Sequence, residues 1–226
     1  MRATATAFAS LFAFFPAAPA APNGPIAPAP AFDAKQLTSL PVQNWITNGG
    51  TLANQRYSPL SLLNRDNVAG LRGLWRAGMG SATDPGHAGQ AQILVYNGTL
   101  YLANGGNDVF ALDVETGKIH WTYRGNSDPR GGSPIGRSSR GVALGEGKVF
   151  VGHTDARLAA LDQLTGKVIW SIPAERWQDG FAITAAPLYY NGLVIIGFNG
   201  GGMGTRGRIM AFDAKARRLG RAFYTV

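Results

Sequence analysis

The sequence predicts an all-β fold, a partial β-propeller of four-stranded antiparallel blades. Three observations predict it. A motif with an Asp-x-x-Thr-Gly core recurs at intervals of about 50 residues, the size of a propeller blade. Each copy follows two short apolar runs joined by a two-residue turn. Sustained 3.6-residue apolar periodicity is scarce, and 31 Gly with 13 Pro in 226 residues supply many turns.

The first copy is Ala111-Leu112-Asp113-Val114-Glu115-Thr116-Gly117-Lys118-Ile119-His120-Trp121. It returns as Ala160-Leu161-Asp162-Gln163-Leu164-Thr165-Gly166-Lys167-Val168-Ile169-Trp170, and a degenerate third copy opens at Ala211-Phe212-Asp213-Ala214. Ahead of the first lie Ile93–Tyr96, Asn97-Gly98 and Thr99–Ala103; ahead of the second, Gly141–Leu144, Glu146-Gly147 and Lys148–Gly152. Ahead of the third lie Pro187–Tyr190, Asn191-Gly192 and Leu193–Gly197. Asn-Gly between apolar runs favours a type I′ hairpin, because both central residues must tolerate positive φ. The Asp-x-x-Thr-Gly step then turns the third strand into the fourth: the carboxylate accepts from backbone N–H groups and the glycine takes the left-handed position. The small alanine that opens each motif leaves room for a neighbouring tryptophan. Trp121 and Trp170 are therefore expected as staples between blades, each worth about 3 kcal/mol or more on truncation. A β-solenoid is the structural rival, but its coils are usually shorter.

The ends and the charge narrow the class. Met1-Arg2, the apolar run Ala3–Phe15 and the small residues around Ala18-Pro19-Ala20 have the layout of a signal peptide over residues 1–20. The alternative is a disordered cytoplasmic leader. The apolar run is too short to span a bilayer, so no stable membrane span is expected. Residues 21–39 are rich in Pro and Ala and read as an extended linker, leaving 40–226 for the blades. The net charge of +8 comes mostly from scattered Arg, with no run long enough for a nucleic-acid arm. The absence of cysteine excludes disulfides, thiolate metal sites, covalently attached c-type haem in this chain and a lipidated N-terminal Cys. His87, His120 and His153 have no metal-ligand spacing, and His120 reads as a residue on a blade face.

The repeat resembles the tryptophan-docking motif of the quinoprotein (PQQ-dependent) alcohol dehydrogenases. Trp45-Ile46-Thr47-Asn48-Gly49-Gly50 with Asn54-Gln55-Arg56-Tyr57-Ser58-Pro59-Leu60 is similar to the family's opening, followed by Asn67-Val68 and Leu71…Trp75. Ser139-Arg140-Gly141-Val142-Ala143, Ile183-Thr184-Ala185-Ala186-Pro187 and Gly204-Thr205-Arg206-Gly207 follow in the family's order, with Phe223-Tyr224-Thr225-Val226 after them. The resemblance implies an exported, periplasmic enzyme with an eight-bladed propeller that holds pyrroloquinoline quinone (PQQ) near its axis. A Ca²⁺ ion polarises the quinone in that family, or a lanthanide in some branches. A small alcohol is oxidised by hydride transfer, and electrons leave to a cytochrome c.

Carried onto this sequence, the resemblance gives Arg140 as a cofactor-pairing guanidinium and Thr184 as a donor to a cofactor carboxylate. Gln90 stands at a cofactor-contacting Glu position, and Asn199, Gly200 and Gly201 line the cofactor. Gly202 occupies the position of the family's metal-binding Glu, which puts Ca²⁺ in doubt, since a hard cation wants carboxylate oxygens. Ser133-Pro134-Ile135 stands where many members carry adjacent cysteines. In the third motif Ala216-Arg217 and Arg221 replace Thr-Gly and Trp. The catalytic carboxylate, the remaining metal ligands and the stacking Trp are expected beyond Val226, so the propeller reads as incomplete. Two other readings stay open: a non-catalytic propeller scaffold of the outer-membrane assembly type, and an inactive truncated remnant.

Overall fold

The structure is a computed structural model and describes residues 25–80, 87–130 and 137–225; the expected signal peptide lies outside these. A five-residue helix, α1 (Ala34–Thr38), opens it. The strands follow: β1 (His87–Gly89), β2 (Leu94–Tyr96), β3 (Thr99–Ala103), β4 (Val109–Asp113), β5 (Ile119–Tyr123), β6 (Arg137–Ser139), β7 (Val142–Gly145), β8 (Lys148–Gly152), β9 (Arg157–Asp162), β10 (Val168–Pro173), β11 (Leu188–Tyr190), β12 (Leu193–Gly197), β13 (Arg208–Asp213) and β14 (Leu219–Tyr224). They form three four-stranded antiparallel sheets, β2–β5, β7–β10 and β11–β14, each ordered as a meander. The blades are as the repeat predicts.

Each blade places its two tight turns at one end. The first of them has both central residues at positive φ: Asn97 44° and Gly98 74°, Glu146 52° and Gly147 66°, Asn191 46° and Gly192 76°. The second is the Asp-x-x-Thr-Gly step. Asp113 Oδ1 accepts from Thr116 N at 2.8 Å and Asp162 Oδ1 from Thr165 N at 2.8 Å. In an antiparallel meander the remaining connections must lie at the opposite end, and these include the long loops that join one blade to the next. The lead-in strands β1 and β6 run there side by side in parallel, His87 opposite Arg137.

The blades meet in two apolar seams. In β8 and β9 the period-two alternation serves both at once. Val149, Val151, Ala159 and Leu161 pack toward the first blade, among Leu94, Tyr101 and Trp121. Phe150, Leu158 and Ala160 pack toward the third, among Tyr189, Val194 and Phe212. The tryptophans dock differently from the sequence expectation. Ala111 pairs with Trp121 within its own blade, and the indole rests on the turn of the next: a Cβ on Gly166 would sit 2.5 Å from Trp121 Cε3. Trp121 Nε1 donates to Gln163 O at 3.0 Å, and Trp170 Nε1 to Ala214 O at 3.1 Å. Trp75 repeats the arrangement onto the first blade, donating to Val114 O at 2.9 Å across Gly117. Glycine leaves the space the ring needs, and the peptide carbonyl after the Asp satisfies the indole N–H.

The linker expected over 21–39 is corrected for its described part. Ala29, Phe32 and Leu37 are buried in the seam between the first and second blades. Gln163, fully buried, accepts from Ala29 N at 2.7 Å, and its amide nitrogen donates to Ala27 O at 3.1 Å and Tyr101 Oη at 2.9 Å. Burial pushes the Tyr101 hydroxyl up to about 12. Asp33 and Gln36 cap α1 reciprocally, at 2.7 and 3.0 Å. Proline sets the extended backbone, but three apolar side chains and one buried amide make the segment an anchored arm. Beyond it the chain crosses the free edges of the inner strands: Trp45 bridges Val95, and Asn48 Nδ2 donates to Val142 O at 3.3 Å.

Candidate functional site

The long-connection end gathers the sequence-predicted residues because each blade is entered through a lead-in segment, and the segments are hydrogen-bonded in series. Gln92 N donates to Arg140 O at 3.1 Å, and Arg140 N donates to Thr184 O at 3.0 Å. The side chains repeat the link, with Arg140 Nη1 donating to Thr184 Oγ1 at 2.8 Å. Thr184 is buried at 7% exposure while Arg140 is exposed, so a fixed hydroxyl holds a guanidinium that faces outward. Gly141 makes the approach possible. Its φ is 128°, and a Cβ there would lie 2.7 Å from Asn48 Oδ1 and 3.0 Å from Gln92 O.

Asn199 and Gly200 lie beside the same lead-in. Asn199 N donates to Ala182 O at 2.8 Å, two residues before Thr184, and Ala182 N returns the bond at 3.3 Å. Gly200 is required sterically, since a Cβ would lie 2.5 Å from Gly180 O. Gly201 opens the short 3-10 turn Gly201–Met203. Gln90 is one residue past the last β1–β6 pair, level with Arg140, and is exposed. Gly202 contributes no side-chain oxygen, and the space a Cβ would enter is open. Ser133-Pro134-Ile135 lies outside the described residues.

Two features escaped the sequence reading. The first is a cavity of about 290 Å³ lined by Arg140, Arg56, Gln92, Thr47, Asn48 and Pro187 among others. The second is a buried polar cluster behind Thr184. His153 is fully buried, its Nε2 3.3 Å from Tyr123 Oη and its Nδ1 3.2 Å from Ser127 Oγ. Burial pushes its pKa down to about 4, and the Arg157 charge acts in the same direction against Asp155 and Asp108. The imidazole is therefore neutral at ordinary pH. Its carbonyl accepts from Ile183 N at 3.0 Å, which fixes the backbone immediately ahead of Thr184. Asn107 closes the cluster, accepting from Thr154 N at 3.1 Å and donating to Gly152 O at 3.2 Å. Single polar residues in loops carry no periodic signal, so nothing in the sequence marked this group.

The fold and site define a propeller whose loop end presents a positioned guanidinium to a solvent-accessible cavity. Residues 45–224 match the PQQ family, described as the β-propeller domain of glucose, ethanol and alcohol dehydrogenases, and the chain belongs to that family. It is 42% identical over 179 residues to the quinoprotein alcohol dehydrogenase PedH of Pseudomonas putida, covering 78% of this chain and 29% of the relative. It is 38% identical to the 1-butanol dehydrogenase (cytochrome c) of Thauera butanivorans, covering 76% and 25%. Among solved structures, the quinohemoprotein alcohol dehydrogenase ADHIIG of Pseudomonas putida HK5 superposes with a TM-score of 0.72 at 35% identity, covering 81% of this chain and 27% of that one. The chain thus spans about a quarter of the length of these relatives.

Proposed function

We propose that this chain forms the opening blades of a quinoprotein alcohol dehydrogenase and that its loop end is the floor of the PQQ site. The observation that carries the reading is the Arg140–Thr184 clasp, an exposed guanidinium fixed by a buried hydroxyl at 2.8 Å. A polycarboxylate suits it, because a planar guanidinium pairs with a carboxylate through two parallel N–H bonds. Gly200, at φ 131° with Gly180 O and Thr205 where a Cβ would go, accepts no larger residue and so fixes the backbone of the Asn199–Gly201 segment. Bound there, PQQ would supply the two-electron acceptor for the hydride of a small alcohol.

This chain's residues bind and orient. Arg140 neutralises a carboxylate, Thr184 holds Arg140, and the buried His153 cluster holds Thr184's backbone. The residues here do not fit a calcium ion: Gly202 offers no oxygen, and among the described residues no group of three His, Asp or Glu converges. The proton-accepting carboxylate and the cytochrome c contact are proposed to belong to the rest of the dehydrogenase. The N-terminal apolar run supports export to the periplasm, and among the described residues no helix is long and apolar enough to cross a membrane.

The test is titration of the full chain with PQQ, followed by the cofactor's absorbance. Arg140→Met should weaken binding by about tenfold or more, the loss of one bidentate charged pair. Equal binding by the wild type and Arg140→Met would overturn the reading.

A further inference from the structure

The cavity beside Arg140 holds a second guanidinium. Arg56 reaches it from the crossing segment, 84 residues away in sequence. Its backbone is pinned, with Arg56 N donating to Gly49 O at 2.9 Å. Its side chain is pinned too. With the Gln92 amide oriented by its hydrogen-bond partners, the Gln92 oxygen accepts from Arg56 Nε at 3.0 Å and Nη2 at 2.9 Å, while the amide nitrogen faces Asn48 O. Gln92 is thus the hinge of the arrangement, holding Arg56 through its side chain and Arg140 through its backbone.

Both guanidiniums are tethered by neutral oxygens, the Gln92 amide and the Thr184 hydroxyl, so these contacts cancel neither charge. Gln92 occupies two of Arg56's five N–H donors. Two tethered cations lining one cavity repel unless an anion lies between them. Behind the cavity wall, Thr47 Oγ1 and Asn48 Oδ1 are buried without a hydrogen-bond partner and face the protein rather than the cavity.

We propose that Arg56 and Arg140 form a two-point clamp for a ligand bearing two separated carboxylates, with Gln92 as the residue that positions Arg56. The identity of the natural ligand rests on the cofactor reading above; the two-point contact does not.

The experiment compares benzoate with benzene-1,3-dicarboxylate by calorimetry on the full chain, with PQQ as a third probe. The dicarboxylate should bind about tenfold or more tighter than benzoate, since it engages a second charged pair. Arg56→Met should bring the dicarboxylate down to the benzoate level and leave benzoate unchanged, benzoate binding reporting an intact Arg140 and fold. Should Arg56→Met lose benzoate as well, Arg56→Lys decides, because it keeps the charge without the fork and should give an intermediate preference. A dicarboxylate that binds no tighter than benzoate to the wild type overturns the clamp, and so does an unchanged preference in Arg56→Met or, where needed, Arg56→Lys. If the dicarboxylate binds no tighter than benzoate while PQQ binding falls in Arg140→Met, the clamp fails and the cofactor reading stands. If the dicarboxylate behaves as expected and PQQ does not bind, the cofactor reading fails and the clamp stands.

Discussion

The second and third blades share a meander and a register, yet one is closed on both faces and the other on one. In the second, β8 and β9 are buried almost throughout. In the third, β12 and β13 alternate buried with partly exposed residues, and β14 is exposed along its whole length. The docking turns diverge in the same way. Gly166 takes φ 70° beneath Trp121, whereas Arg217 takes φ 50° in the corresponding turn. Arg221 stands opposite Ala211 where Trp121 and Trp170 stand opposite Ala111 and Ala160. The turn itself survives: Asp213 Oδ1 still accepts from Lys215 N at 2.8 Å and from Ala216 N, and Trp170 still reaches Ala214 O. The hydrogen-bonded skeleton of a docking turn therefore tolerates sequence loss that its packing does not, because the skeleton uses backbone groups every residue has.

Four measurements break or sharpen this contrast. Trp170→Ala should be the most damaging, costing about 3–5 kcal/mol in urea unfolding, because it empties the seam and orphans a carbonyl. A loss below about 1 kcal/mol would mean that the third blade contributes little to the fold.

The next effect separates the two seams by pH. The first seam holds His153, whose folded pKa, pushed down to about 4, lies below its ordinary value of 6.5. The unfolded chain takes up the proton first, so this stabilisation is complete above about pH 6.5 and disappears as the pH falls toward 4. About 3 kcal/mol is at stake across that window. His153→Gln should flatten the stability profile there, and an unchanged slope would refute the assignment.

Gln163→Ala should cost about 2–3 kcal/mol by leaving buried groups of the N-terminal arm and Tyr101 without partners. It should also expose residues 25–39 to limited proteolysis. The third blade has Ala214 at the equivalent position, so Ala214→Gln should bring no comparable gain. The smallest effect is a gain: Arg217→Gly should stabilise by about 1 kcal/mol by relieving a left-handed non-glycine residue. A loss instead would show that the arginine side chain itself holds the turn.

The elements most legible in the sequence were local ones. Asn97-Gly98 and Asn191-Gly192 announce their turns because positive φ is a property of two adjacent residues. Glu146-Gly147 does so less directly, glutamate adopting the same conformation under the pull of flanking strands. The Arg140–Gly141 pair could be singled out through family resemblance, and the glycine's reason emerged only as the contact with Asn48 and Gln92. Trp75, by contrast, looked like part of an opening motif. It becomes a docking residue only when Gly117 lies beneath it.

The sequence by itself determined the number of blades, the identity of most strands, the tight turns and the family. Each of these is written in residues within a few positions of one another, or in a repeat of them. Tertiary structure alone decided which blade faces are covered and how the arm of residues 25–39 is anchored. It alone buried His153 as a neutral imidazole and brought Arg56, Gln92, Arg140 and Thr184 to one end. Those four come from four separate segments: the series of hydrogen bonds between lead-in segments makes Gln92, Arg140 and Thr184 neighbours, and the Gln92 side chain brings in Arg56.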